Sequence, residues 1–234
     1  MIVTKHCSEF ARTEMLKGNF KLGTLREYSQ SEGGGLMSDH AEGRGETAIV
    51  GDIFNQSYTD HGGNRITVGA STQNKYSAVS QINIDACLFC SSKGKYDSKR
   101  HADLINGVGD YQANHGIPAF LEIDVSRFQK ALALLASTTF AARCLQRDQD
   151  IRYSSRVAEY APSGIQEVMS ARHQARWALE IAFTKPERFS VEQEYRFALI
   201  PVGRACEALF TSRMKRRVRD AFRAAIHSEG SASP

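Results

Sequence analysis

Apolar and polar residues alternate with a period of two over several stretches of the chain, and recur at helical spacing over a few others. IVTKHC (residues 2–7) is short and rich in β-formers. SEFARTEMLKG (8–18) then predicts a helix, with Ser8 as its cap, Phe10, Met15 and Leu16 as its apolar side and Gly18 as its stop. NFKLGTLREY (19–28) predicts a second strand, in which Phe20, Leu22 and Thr24 alternate against Lys21, Gly23 and Leu25. From Thr47 to Ser92 the signals are mainly β, in AIVGDIFNQ, RITVGAS and ACLFCSS, with turns at HGGN and around QNKY. A polar insertion (93–118) leads into the strand AFLEIDV and the helix FQKALALLAS. IQEVMSARHQARWALEIAF (165–183) predicts a further helix, and Pro186 separates it from the last strong strand, SVEQEYRFALIP (190–201). Strands throughout, with helices at the start and in the second half, predict a single α+β domain over residues 1–227. It would end in a basic helix at about 211–227 and a disordered tail at 228–234.

Composition narrows the class. Hydrophobic residues make up 41% and charged residues 24% of the 234, ordinary values for a globular protein. No apolar run reaches the roughly 18 residues of a membrane span, and MIVTKHCSEF has no signal-peptide core, so a cytoplasmic location is expected. The five cysteines are odd in number and irregular in spacing, which argues against a disulfide framework and for a reducing compartment. Cys87 and Cys90 form C-x-x-C, but residues three apart on a strand face opposite ways, so packing thiols are expected rather than a shared zinc. The formal charge of +4 is unevenly placed. Arg213, Lys215, Arg216, Arg217, Arg219 and Arg223 stand against Asp220 alone, a segment suited to nucleic acid or an acidic partner, or simply a solvated helix.

Candidate chemistry falls in three places: Lys5–Ser8 after the first strand, Gly23–Tyr28 after the second, and Glu192–Tyr195 on the late strand. A strand places Glu192 and Glu194 on one face and Gln193 and Tyr195 on the other. Two carboxylates side by side repel unless water, a cation or a polar ligand compensates, so the pair is either a wet sheet edge or the catalytic end of a strand.

The order of these three motifs resembles the ADP-ribosyltransferase fold, which sets a His or Arg on its first strand, a Tyr or Ser near the second and a Glu on a late one. KHCS followed by a helix and KGNFKLGT is similar to the opening of the poly(ADP-ribose) polymerase branch, and QEYRFAL to its glutamate strand. E-x-E is also similar to the paired-glutamate strand of bacterial transferase toxins. The wider layout, from FKLGTLREY through DHAEG to EQEYRF, resembles a widespread bacterial family of unknown function sometimes found with phage-defence genes. Cys7 stands where the polymerase branch usually has Gly, and GASTQNKYS sits late for the Ser-Thr-Ser motif of the toxins. The resemblance implies a mainly antiparallel, split sheet with peripheral helices and an NAD-consuming transferase or glycohydrolase, a toxin or defence effector, that needs no metal. Breaking the nicotinamide–ribose bond develops an oxocarbenium-like ribose, which a carboxylate stabilises most when its charge is greatest. Glu194 would supply that carboxylate and Glu192 would orient or deprotonate the acceptor. His6 and Ser8 would hydrogen-bond the ribose, Tyr28 would stack on nicotinamide, and Thr24 and Arg26 would complete the NAD-binding set. The acceptor is a protein, a nucleic acid or water.

Two other classes compete. A non-enzymatic module would hold nucleic acid or protein with the basic segment and the glycine-rich loop SQSEGGGLMSDHAEGRGET. A metal-dependent nuclease would use Asp39, His40, Glu42 and Glu46 as ligands. No G-x-S-x-G or related motif supports hydrolase chemistry of the Ser/His/Asp kind.

Overall fold

A computed structural model describes residues 1–30, 44–52, 56–59, 65–68, 75–83, 86–106, 117–140, 144–150, 152–153, 157–160, 182–185, 187–201 and 207–231. The chain opens with β1 (Ile2–Cys7), α1 (Glu9–Leu16), β2 (Lys21–Thr24) and α2 (Leu25–Gln30). Then come β3 (Arg44–Asp52), β4 (Gln56–Thr59), β5 (Arg65–Val68), β6 (Lys75–Asn83) and β7 (Cys87–Lys93). The middle holds α3 (Ser98–Asn106), β8 (Ala119–Asp124), α4 (Val125–Thr139), β9 (Cys144–Asp150), β10 (Arg152–Tyr153) and β11 (Val157–Tyr160). The last part runs β12 (Thr184–Lys185), a 3-10 turn (Glu187–Glu192), β13 (Glu194–Pro201), β14 (Leu209–Phe210), a short 3-10 turn (Thr211–Arg213), α5 (Arg216–Arg223) and β15 (Ile226–Ser231).

Helices and a mainly antiparallel open sheet thus share one α+β domain. The main sheet is eight-stranded, and its middle strand, β7, has an unusual set of neighbours. One edge is taken along its length by β13, from Glu194 opposite Ser92 to Leu199 opposite Cys87. The other edge is divided. β1 pairs only one end, Val3 with Lys93 and Thr4 with Ser92, and β2 pairs only the other, Gly23 with Leu88 and Thr24 with Cys87. The sheet therefore forks at Phe89 to Ser91, where β1 leaves β7 to pair fully with β8. Among the described residues β3, β6 and β11 form a separate three-stranded sheet.

Alternation along β7 and β13 gives the two sheet faces different contents. Phe89, Tyr195, Phe197 and Leu199 enter the larger core, where Leu22, Phe128, Leu132, Val218 and Phe222 meet them from β2, α4 and α5 and Phe20 from the residue before β2. Leu88, Cys90, Ala198 and Ile200 point the other way, into a smaller cluster with Leu25, Ala182 and Phe183.

Several local expectations change. Ser8 caps α1 by accepting from the Ala11 N–H, and Gly18, at φ +83°, ends the turn after it. A side chain at Gly18 would meet the Arg219 carbonyl oxygen at 2.3 Å, so glycine is required there twice over. Phe10, however, is 77% exposed and does not join the apolar side of α1. The second strand stops at Thr24, because Thr24 and Glu27 cap each other reciprocally. The Glu27 N–H donates to Thr24 Oγ1 at 3.0 Å and the Thr24 N–H to Glu27 Oε2 at 3.1 Å, which starts α2. The insertion after β7 carries α3. The tail expected to be disordered from residue 228 is a strand through Ser231, paired with β8, and the basic helix is confined to Arg216–Arg223. Cys7, Cys90 and Cys144 are free, but Cys87 is disulfide-bonded, so packing thiols are not the rule at every cysteine. Its Sγ lies 3.3 Å from the Glu207 carbonyl oxygen, where the chain returns beside β7. Cys206, the glycine-rich residues 31–43 and most of the expected helix 165–183 lie outside the described residues. No helix among those described is long and apolar enough to cross a membrane.

Candidate functional site

The late strand begins at Glu194, four residues later than the span 190–201 that its sequence pattern implies. Glu192 ends the 3-10 turn, and Gln193, at φ +41°, reverses the chain before Glu194 enters β13. The two glutamates are therefore not neighbours on one strand face. They are nonetheless brought together, by Lys185 on β12. Its Nζ donates to Glu192 Oε2 at 2.7 Å and to Glu194 Oε2 at 3.0 Å. Neither carboxylate is wet: Glu192 is 7% and Glu194 5% exposed.

Arg196, two residues along the same face of β13, completes the cluster. Its Nε donates to Glu194 Oε1 at 2.7 Å, its Nη2 to Glu194 Oε2 at 3.2 Å and its Nη1 to the Ala182 carbonyl at 2.7 Å. This forked, charge-assisted pairing saturates Glu194. Burial alone would raise the Glu194 carboxyl, but Arg196 and Lys185 outweigh it and hold the group well below the usual range. Glu192 accepts from Lys185 and lies in hydrogen-bond reach of Glu194, while its Oε1 is buried with no hydrogen-bond partner among the described residues. Burial pushes Glu192 up to about 8, with the Glu194 charge adding to the rise and Lys185 offsetting part of it. One lysine thus joins a carboxylate held ionised to a carboxyl held neutral. Carboxyl pairs whose environments drive them apart in this way are the usual division between a charge-stabilising group and a proton-handling one.

Across the fork, β1 contributes His6, 4% exposed. Its Nδ1 lies 2.8 Å from Nδ1 of His101 on α3. Burial first, then His101, Lys5 and Arg100, lower His6 to about 3, so the imidazole is neutral at physiological pH. His6 Nε2 is also buried and unpartnered among the described residues. From α2, Tyr28 reaches the same space. Gly23 leaves room for it, since a Cβ there would stand 3.2 Å from the tyrosine ring. His6, Tyr28, Cys90, Lys185, Glu192, Glu194 and Arg196 line one cavity of about 40 Å³ at the fork. The Cys90 thiol is raised by burial and stays protonated.

Of the residues singled out in the sequence, His6, Tyr28, Glu192 and Glu194 meet in this cavity, and Ser8, Thr24 and Arg26 do not line it. Ser8 and Thr24 are occupied as helix caps. Lys185, Arg196 and His101 were missed. Arg196 had a signal, being two residues from Glu194 and so on its strand face. Lys185 and His101 had none, because tertiary structure alone brings them in. For the metal alternative, Asp39, His40 and Glu42 lie outside the described residues, and Glu46 falls within β3. Compared with protein-family models, with curated proteins and with solved structures, the chain matches none.

Proposed function

We propose that this cavity cleaves the nicotinamide–ribose bond of NAD and passes the ADP-ribosyl group to an acceptor or to water. The observation that carries the reading is the glutamate pair, one ionised and one neutral, joined by Lys185 beside a neutral imidazole whose Nε2 has no partner among the described residues. The forked sheet supports it as well, since it offers the opening that a split ADP-ribosyltransferase-like sheet would need.

The chemistry fits the charges. Nicotinamide in NAD is already cationic, so the C–N bond breaks with its electron pair moving to the ring nitrogen, and no acid is needed for departure. Positive charge moves to the ribose. Glu194, fixed by Arg196 and Lys185, supplies preorganised negative charge that costs no reorganisation at that moment. Glu192, whose Oε1 is unengaged, and His6 bond the ribose hydroxyls. As the acceptor hydroxyl attacks the ribose carbon, its proton passes to Glu192 in the fraction of molecules whose Glu192 has ionised, a fraction that grows as pH approaches 8. Tyr28 packs against the departing ring. The roles shift from those the sequence implies, with Glu194 the anchored charge and Glu192 the group left open to react.

Incubation with NAD and chromatography of released nicotinamide tests the reading, alone and with nucleic acid or cell extract. Glu192→Gln keeps shape and burial but removes the proton acceptor. Release should fall on the order of a hundredfold, with NAD binding little changed. If the wild-type protein releases none under any of these conditions, the reading is wrong. A second reading, a non-enzymatic binding module, is favoured by the exposed arginines of α5, where Arg216 and Arg223 side chains are 86% and 59% exposed. Binding to nucleic acid that weakens steeply with salt, without NAD turnover, would identify it.

A further inference from the structure

The cavity that holds the glutamates, at about 40 Å³, has room for only a few water molecules. A second hollow of about 570 Å³ lies beside it, among α1, β2, β14 and the 3-10 turn that follows. Lys5 and Tyr28 border both. The two open on opposite faces of the sheet. Thr4, His6 and Cys90 line the small one, while Met15, Phe20 and Phe89, all members of the larger core, line the large one. The fork lies between them, where neither β1 nor β2 pairs with β7 from Phe89 to Ser91. A ligand whose reacting end enters the small cavity has space for its remaining bulk through the fork, in the large one.

The charges beside the fork decide what kind of ligand spans it. Lys5, Glu14, Lys21 and Glu27 line the large hollow. Glu14 accepts from Lys17 at 2.6 Å and from Asn19 at 2.9 Å. Lys21 and Glu27 pair at 3.3 Å, and Glu27 also accepts from the Thr24 N–H. Lys5 alone of the four has no opposite charge within 4.0 Å among the described residues. It is half-buried, with Nζ 5.3 Å from the centre of the Phe89 ring. Alternation along β1 turns Lys5 to the side of the large hollow and His6, the next residue, to the small cavity. A partly desolvated ammonium without a counter-ion attracts an anion, and lysine meets phosphate well as a point charge. Beyond it Phe20, Phe89 and, at the rim, the 77% exposed Phe10 offer aromatic walls to a flat base. The geometry points to a second half of the site, in which the large hollow takes the nucleoside end of a diphosphate-linked nucleotide and Lys5 pairs with the diphosphate as it crosses the fork. Identifying that nucleotide as NAD rests on the reading above, while the subsite itself does not. Under that reading the nicotinamide ribose lies on the His6 side of the fork and the adenosine on the Lys5 side.

Calorimetric titration of the whole protein with ADP and with inorganic pyrophosphate tests the subsite without catalysis. ADP should bind on the order of tenfold more tightly than pyrophosphate, because its base and ribose gain the aromatic walls. Lys5→Met keeps the length and apolar stem of the side chain, and should weaken both probes on the order of tenfold. Lys5→Arg should recover most of that loss. Arg216→Ser combined with Arg223→Ser, on α5, should change neither affinity. No ADP binding by the wild type, equal affinity for the two probes, or ADP binding unchanged in Lys5→Met overturns the subsite. So does binding that the α5 variant loses and Lys5→Met keeps. The comparison of the two probes on the wild type decides even if Lys5→Met fails to fold. Nicotinamide release separates the subsite from the NAD reading, since Lys5→Met should raise KM for NAD on the order of tenfold and change kcat less. ADP binding that depends on Lys5, with no nicotinamide release by the wild type, would sink the NAD reading and leave the subsite standing. Release with KM unchanged in Lys5→Met would do the reverse.

Discussion

Strand β13 buries two rows of side chains that face opposite ways, and the rows are kept out of water by different means. On one side Tyr195, Phe197 and Leu199 join a core of aromatic rings, with Phe128 centred 4.5 Å from Phe197 and 4.8 Å from Phe89. On the other side Glu194 and Arg196, at 5% and 1% exposed, sit with Lys185 at 2%. The first face gains from every apolar atom removed from water. The second loses the hydration of three or four ionisable groups and recovers it only through close, charge-assisted hydrogen bonds. Buried ion pairs of this kind are seldom better for stability than apolar residues of the same volume. A strand that packs phenylalanine so well on one side has no stability reason to bury a charge cluster on the other. The difference locates the part of the molecule that is not explained by folding.

The largest effects test that contrast directly. Arg196→Met should leave buried Glu194 short of its bidentate partner, with Lys185 still bonded at 3.0 Å, and cost about 3 kcal/mol in denaturant unfolding. Phe128→Ala on the opposite face should cost a similar amount, about 3–5 kcal/mol, by opening a cavity. The two differ in what a second change can restore. Adding Glu194→Leu to Arg196→Met removes both charges, and stability should return to within about 1 kcal/mol of wild type or exceed it, with NAD cleavage lost. No comparable rescue is expected at Phe128, where the folded fraction should keep its activity. A double variant that stays as unstable as Arg196→Met would mean the charged face is structural, and the contrast would collapse.

A smaller effect separates the faces by pH, since on the charged face Glu192 titrates near neutral pH while burial and Asp148 push Tyr195 on the aromatic face far above it. Glu192, raised to about 8, binds a proton more tightly folded than unfolded. Its contribution to stability is therefore complete below its ordinary pKa of about 4.5 and is lost as pH rises through about 8. His6 works the other way, because lowering to about 3 means that stability grows as pH rises from there to about 6.5. Above that point the Glu192 slope remains. The melting temperature should fall by roughly a few degrees between pH 6.5 and 8, and Glu192→Gln should flatten the fall. Over the same interval kcat/KM for nicotinamide release should rise as Glu192 ionises, and level off above pH 8. Calorimetry and a pH–rate profile check the two trends. If both move in the same direction, Glu192 is not the group that links them.

How much of this was legible in the sequence differs between the faces. The apolar face was readable because its signals are local. Alternation in β8 and β13, helical spacing in α4 and the cap of α1 all lie within a few residues of what they determine. At the charged face only β13 and the glutamates were visible. Lys185 is separated from them by the 3-10 turn, and its role depends on Gln193 reversing the chain. His101 meets His6 across 95 residues. Strand β15 is polar and has no apolar alternation, so its pairing with β8 decides it, not its composition. The fork in the sheet follows from where β1 and β2 stop pairing with β7, and no local pattern encodes that.

Thr24-Leu25-Arg26-Glu27 is a capping-box sequence, but its alternation with the preceding residues also fits a strand that continues to Tyr28. The box wins in the structure because it satisfies two N–H groups at the start of α2, and Leu25 then buries completely in the cluster beside Cys90. Tyr28 reaches the cavity only because that turn forms. Thr24→Ala removes the side-chain oxygen that accepts from the Glu27 N–H, and should cost about 1 kcal/mol. Thr24→Ser keeps the oxygen and should recover most of that loss. Because α2 touches the charged face and not the aromatic core, Thr24→Ala should also raise KM for NAD more than it lowers kcat, since Tyr28 holds the ring that leaves and does not handle a proton. Unfolding curves and steady-state kinetics on the two variants read both quantities. Equal stability in the alanine and serine variants would show that the cap is idle. Loss of kcat alone would place Tyr28 in the chemical step.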